Sequence, residues 1–295
     1  MMKFLPDSLL EKEVAAIIER YKISREDAEK KLCAAFAEKA GLLEKINARY
    51  ALEDVTRWRE YRDTLKKAKK KIYYSLRRYR RNPERGDALT RTLRDAVIAG
   101  KSAGDIESIR TALLRSHAST DERFPYYDRF YDSVFSAASP VSSVLDLGCG
   151  LHPLSFPFEK QPAGGIYLAV DRHPDIIEIL TLYAKCTGPW KLLPILSGLD
   201  GFDPGPYLSE GKRSIDLIFM LKLIPVLERQ KRHLLSGLAS LSARVMLITA
   251  SVEAMSRKEK IAAREDRSLR HFIDMTGREI DQKLSLPNEF GFFLV

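Results

Sequence analysis

Between Ser143 and Phe158 the chain reads SVLDLGCGLHPLSFPF, an apolar run that meets an acid and two nearby glycines, Asp146, Gly148 and Gly150. A strand feeding a cofactor loop has this composition, because glycine lets the backbone come close to a bulky ligand. Two cofactor classes use such a loop. A dinucleotide site requires G-x-G-x-x-G, whose third glycine permits close helix–strand packing, and Pro153 stands at that third position. The S-adenosylmethionine version requires only D/E-x-G-x-G, which Asp146, Gly148 and Gly150 supply. Pro153 then fits the first turn of a helix, where its missing N–H costs nothing. Asp171 closes the next apolar run, YLAVD, where an acid accepts both ribose hydroxyls in this layout. The pattern predicts methyl transfer from S-adenosylmethionine.

The acceptor is narrowed by what the chain lacks. Methylation of an exocyclic base amine calls for N/D-P-P-Y/F after the fourth strand, and FMLKLIPVLERQ stands there instead. Methylation of a pyrimidine carbon needs a cysteine nucleophile near that strand. Cys149 lies in the glycine loop, Cys186 after the second strand and Cys33 in the helical region. A ring nitrogen of a purine remains, a lone pair that needs alignment with the methyl group more than a general base. No residue is assigned as that base.

These residues need a scaffold. From about Val141 short apolar runs alternate with helical patterns: SVLDLG, GIYLAVD, KLLPIL, IDLIFML, RVMLITA and NEFGFFLV. Such alternation predicts an α/β fold, a Rossmann-like parallel sheet with helices on its faces, its last run an antiparallel edge strand. Residues 1–118 read as a helical domain and 119–295 as the sheet domain. In the helical part, Ser24 opens SREDAEKKLCAAFAEKAG as a capping start, with Gly41 as its stop. Farther on, Trp58, Tyr61, Leu65, Ala68, Ile72, Leu76 and Tyr79 form an apolar stripe at helical spacing, ended by Pro83 and Gly86.

Net charge is +9 over 295 residues, and it is concentrated. Between Arg57 and Arg81 twelve Lys and Arg face only Glu60 and Asp63. Lys66, Lys67, Lys70, Lys71, Arg77, Arg78 and Arg81 fan around the polar side of the striped helix, the electrostatic footprint of a polyanion partner. No apolar run reaches the roughly 18–20 residues that span a bilayer, and the N-terminal segment lacks the core of a secretory signal. The three cysteines show no CxxC spacing and the five histidines are scattered. Those features point to a reducing, cytoplasmic setting and to no metal.

Three stretches together resemble the FmrO-like, or Arm/Rmt, family of 16S rRNA methyltransferases. SHASTDERFPYYDRFY is similar to its H-x-S-T-x-E-R segment, LDLGCGLHPLSFP to its L-D-x-G-C-G-x-N-P-L-x-x-P loop, and LKLIPVLERQ to its L-K-x-L-P-x-L-E-x-Q stretch. The resemblance covers roughly Arg115 to Thr249. It implies methylation of N7 of guanine 1405 in the decoding A site, with aminoglycoside resistance as the consequence and the 30S subunit as partner; a monomer is the expected state. It further implies that His117, Ala118 and Ser119 line the cofactor, that Arg123 pairs with its carboxylate, and that Leu221 and Gln230 lie near the adenosine and the pocket rim. Tyr79 matches an aromatic folded over the cofactor, though its place on the apolar stripe reads equally as core. Lys222, at the end of the fourth strand, faces where the target base enters.

The chain also departs from that family. His152 replaces its asparagine, and Ser197-Gly198 stands where it carries an acid after the third strand, Asp200 following late. After the fifth strand TASVEAMSRKEKIA keeps only the basic character, through Lys258 and Lys260. Two other readings therefore stand beside the first: a methyltransferase for another rRNA or tRNA purine or a small molecule, and an RNA-binding homologue without activity.

Overall fold

The computed structural model describes residues 5–21, 24–51, 54–76, 83–102, 104–208, 215–253 and 261–295. It divides into two compact units, Met1–Tyr79 and Arg80–Val295.

The first unit is helical: α1 (Asp7–Tyr21), α2 (Arg25–Ala37), α3 (Ala40–Arg49) and α4 (Arg59–Leu76). The stripe read in α4 turns Tyr61, Ala68 and Ile72 into a core with Ile17, Leu32, Phe36 and Ile46, while Lys66, Lys67 and Lys70 are exposed. One lysine of the basic run turns inward. Lys69 Nζ lies 2.9 Å from the carboxylate of buried Glu13, which also accepts from the Tyr61 hydroxyl at 3.2 Å. Gly41, read as a helix stop, lies inside α3, because the chain breaks only briefly after Ala37.

The second unit carries helices α5 (Pro83–Ile98), α6 (Glu107–Ser116), α7 (Ala118–Arg123) and α8 (Tyr127–Ala138), then the sheet. Its strands are β1 (Ser143–Leu147), β2 (Ile166–Asp171), β3 (Lys191–Leu196), β4 (Ile215–Met220), β5 (Ala243–Ser251), β6 (Ile280–Leu286) and β7 (Glu289–Leu294). Between them run α9 (Pro174–Tyr183), α10 (Ile224–Gln230), α11 (Leu235–Ala239) and α12 (Ala262–Thr276). The sheet order is β3-β2-β1-β4-β5-β7-β6, parallel except for β7.

Side chains alternate across a strand, so two cores form. Val144, Tyr167, Leu217 and Phe219 meet Leu93 of α5, Leu113 of α6, Phe130 of α8 and Ile179 of α9. Leu145, Leu168, Ile218 and Met220 meet Leu227 of α10, Leu235 of α11 and Phe272 of α12. Burial on both faces explains why the strands read as continuous apolar runs. The expected α/β, Rossmann-like architecture is present.

Three details differ from the sequence reading. The units divide at Tyr79/Arg80 rather than near residue 118, because α5 and α6 cover the sheet; an amphipathic pattern does not say which core it serves. Pro83 opens α5 and Gly86 lies within it. NEFGFFLV is antiparallel as expected but interior, since β6 pairs along its outer side. Gly291 allows that packing: a Cβ there would stand 2.2 Å from the Ile248 carbonyl oxygen. Among the described residues no helix is long and apolar enough to cross a membrane.

Candidate functional site

Chain order reverses between β1 and β4, and the crevice outside the carboxyl ends of strands at such a point is where ligands bind in open α/β sheets. The glycine loop leaves β1 at this crevice. Gly148 and Gly150 hold φ of 66° and 51°, the left-handed region in which a side chain is strained. The Gly148 and Cys149 N–H groups both donate to the Val170 carbonyl, at 2.9 and 3.0 Å. The Gly150 N–H donates to Asp171 Oδ2 at 3.0 Å. Loop and second-strand acid are thus one unit.

Asp171 is more heavily engaged than its position in YLAVD suggests. Oδ1 accepts the His173 N–H at 2.9 Å and lies 2.7 Å from His173 Nδ1. Burial alone would push its pKa up; the bonds from His173 and Gly150 hold it below the ordinary carboxylate value. Of about four acceptor positions on a carboxylate, three are taken. Receiving both ribose hydroxyls therefore requires the half-exposed His173 ring to turn aside.

Asp146 serves the loop from beneath. Its Oδ2 accepts from the Tyr167 hydroxyl and faces His152 Nδ1, each at 2.8 Å. Burial pushes the pKa of His152 down against the pull of Asp146, so the ring is neutral near pH 7. Nδ1–H then donates to Asp146, and Nε2 accepts from the Tyr131 hydroxyl at 3.1 Å. The sequence reading grouped Asp146 with the cofactor residues; its hydrogen bonds here go to the protein. Pro153 does not open an α-helix. His152–Ser155 and Phe158–Lys160 are single 3₁₀ turns, which is how the loop accommodates two prolines.

Two walls close on the glycines. A Cβ on Gly150 would stand 3.1 Å from His117 Cε1, and one on Gly148 would stand 3.3 Å from Leu223 Cδ1. His117 and Ala118 are buried and Ser119 is half-buried. The Thr120 hydroxyl, 3.0 Å from the His117 carbonyl, pins the turn into α7. Leu221 is half-buried where β4 meets this wall. Gln230 is exposed at the far end of α10, about 10 Å along the helix from its start at 1.5 Å per residue.

Arg123 departs most from expectation. Its Nε and Nη2 grip the carboxylate of Glu289 at 3.0 and 2.7 Å, with both side chains almost wholly buried, and its guanidinium lies 4.9 Å from the Phe130 ring centre. The fork assigned to a cofactor carboxylate is held by a residue 166 positions away. Lys222 joins the same cluster rather than solvent. Its Nζ lies 2.7 Å from Glu122 and 3.7 Å from Glu289, and its N–H meets the Thr249 hydroxyl at 3.0 Å. Lys222 is the one non-glycine residue with positive φ among the described residues, at 57°. Burial would raise the Glu289 carboxyl, but Arg123 and Lys222 bring it down to about 2. Burial pushes the Cys149 thiol well up, which removes it as a nucleophile. Among the described residues no three His, Cys, Asp or Glu side chains converge as a metal site requires.

Sequence reasoning missed Glu289, Thr249, Glu122 and Leu223. The signals were slight: Glu122 is the acid of the H-x-S-T-x-E-R segment, and Glu289 stands at the head of the apolar run NEFGFFLV. Tyr79, Arg77, Arg78, Arg81, Lys258 and Lys260 lie outside the described residues, as does the side chain of Lys71.

Comparison with known proteins adds the family. A model described as "Ribosomal RNA methyltransferase (FmrO)" matches residues 60–290. A curated "16S rRNA (guanine(1405)-N(7))-methyltransferase" of Frankia casuarinae is 34% identical over 152 residues, 50% of this chain and 51% of that protein. A protein of the same description from Proteus mirabilis is 30% identical over 191 residues, 62% of this chain and 63% of the relative. The chain thus spans less than two thirds of the length of either relative. The solved structure of the 16S rRNA methyltransferase RmtF in complex with S-adenosyl-L-homocysteine superposes with a TM-score of 0.57, at 19% identity and 98% coverage of both chains. At that identity the likeness establishes the fold.

Proposed function

Because the chain belongs to the FmrO family of ribosomal RNA methyltransferases, we propose that it carries a methyl group from S-adenosylmethionine to 16S rRNA, at N7 of the A-site guanine 1405 named for its relatives. The observation that carries this reading is the loop of Gly148 and Gly150 tied to Asp171 at the β1/β4 crevice. The 30S subunit is the proposed partner, the cytoplasm the proposed setting and a monomer the proposed state. Resistance to aminoglycosides is the expected consequence.

The residues fit the cofactor. Two side-chain-free backbone positions leave room that a Cβ would fill, and Asp171 retains an acceptor position for a ribose hydroxyl. When bound, the cofactor supplies a methyl group activated by a sulfonium. Gly148 and Gly150 bring their backbone against it, and Leu221, Leu223 and His117 exclude water from its flanks. The acceptor side needs no proton removed, since the N7 lone pair is already free. What the chain must supply there is alignment, and the Glu122–Lys222–Glu289 cluster gives the end of β4 a fixed geometry for it. Lys66, Lys67 and Lys70 on α4 are placed on an exposed face, where phosphate contacts position an enzyme without reading sequence.

Incubation of the purified chain with tritiated S-adenosylmethionine and 30S subunits, deproteinised 16S rRNA or tRNA tests the proposal. Label in the 16S rRNA of the subunits is expected. Label confined to tRNA, or none, contradicts it.

A further inference from the structure

His117, which closes over Gly150, begins the segment that runs directly into α7. A helix of six residues has no stability of its own, so something outside must hold it. The described contacts show two clamps. Glu122 of α7 binds Lys222 at the end of β4, and Arg123 of α7 binds Glu289 at the head of β7. Glu289 is central to both. It takes two donors from Arg123, accepts from the Thr249 hydroxyl on β5, and lies 3.7 Å from Lys222 Nζ. Thr249 in turn accepts the Lys222 N–H.

We propose that Glu289 is a positioning residue for the donor pocket: from the C-terminal hairpin it locks α7 against the ends of β4 and β5, and thereby holds His117 over the glycine loop. Its carboxylate is the only anion contacting Arg123 among the described residues, so removing its charge leaves a buried guanidinium uncompensated. Such a group is driven toward water, and the way out for Arg123 is for α7 to lift. The pocket wall then loses its support although the sheet keeps its cores. This rests on the proposed use of S-adenosylmethionine.

The test pairs two measurements on the full chain. Hydrogen exchange is followed by mass spectrometry on peptides spanning 118–123 and on peptides of β1, β4 and β5, and S-adenosylhomocysteine is titrated calorimetrically. For Glu289→Gln the α7 peptide should exchange at least about tenfold faster, with the strands still protected. The Kd for S-adenosylhomocysteine should rise about tenfold, or ~1.4 kcal/mol. Glu289→Asp keeps the charge but shortens the reach, so it should fall between wild type and Glu289→Gln in both readouts; it also carries the test if Glu289→Gln does not fold. Unchanged α7 protection, or an opened α7 with wild-type affinity, overturns the proposal. Failure of wild type to bind S-adenosylhomocysteine would instead sink the cofactor reading, and the exchange arm would still decide whether Glu289 holds α7.

Discussion

His152 Nδ1 and Asp146 Oδ2 stand 2.8 Å apart, both fully buried beneath the glycine loop, with the Tyr167 hydroxyl on the same oxygen. The residue that opens the first 3₁₀ turn is thus bonded to the one acid of β1. The loop is closed on itself from below, and its upper surface is left to the crevice between β1 and β4.

Replacing His152 by alanine removes a donor from a buried carboxyl and takes one of two partners from the Tyr131 hydroxyl, which keeps Ser155 Oγ at 2.8 Å. A loss of about 3 kcal/mol in unfolding free energy is expected, measured by urea denaturation. His152→Asn can still offer an amide N–H to Asp146 but not reach Tyr131, so about 1 kcal/mol is expected. Equal losses for the two variants would mean that the bond to Asp146 contributes nothing.

Gly150→Ala places a Cβ at φ 51° and 3.1 Å from His117. The left-handed conformation costs an alanine roughly 1–2 kcal/mol, and the His117 wall must retreat. S-adenosylhomocysteine binding should weaken at least about tenfold in calorimetry, by ~1.4 kcal/mol, in a protein that still folds. Wild-type affinity would show that the loop is not the donor site.

The sheet and its glycine loop were legible because parallel pairing with burial on both faces writes apolar runs, and because glycine adopts the positive φ at 148 and 150 without strain. The α4 stripe was legible for a similar reason, a period of 3.6 facing one core. Other features left no local trace. Arg123 and Glu289 meet across 166 positions of sequence, and neither segment announces its partner. β6 was missed because Asp281, Gln282, Lys283 and Ser285 make it read as a loop, the polarity of a strand at a sheet edge. Pro153 was read as a helix start because proline at the first position suits α and 3₁₀ turns alike.

Acid should act through Glu289. Its pKa is about 2 in the folded chain and 4.5 as the ordinary value, so the unfolded chain takes up the proton first as pH falls. The stabilisation is complete above pH 4.5 and is lost between there and about 2. It amounts to something on the order of 3 kcal/mol. Denaturation midpoints followed from pH 6 to 2 should fall more steeply for wild type than for Glu289→Gln, which starts lower. Parallel slopes would contradict the assignment.

Charge reversal on α4 tests the RNA face. With Lys66, Lys67 and Lys70 all changed to glutamate, the slope of log K against log salt for 16S rRNA binding should shrink by about 3, roughly one per lost phosphate contact. S-adenosylhomocysteine affinity should not move. Filter binding of 16S rRNA across a salt series gives the slope and calorimetry the S-adenosylhomocysteine affinity, and an unchanged slope would remove α4 from the interface.

The central claim, methyl transfer to N7 of one rRNA guanine, is tested most directly by chemistry specific to that product. Treated 30S subunits are subjected to borohydride reduction and aniline cleavage, which break RNA at 7-methylguanine, and the 16S rRNA is read by primer extension. A stop at guanine 1405 that depends on both the protein and S-adenosylmethionine is the predicted result. Its absence, in rRNA that carries transferred label elsewhere or none at all, would contradict the account.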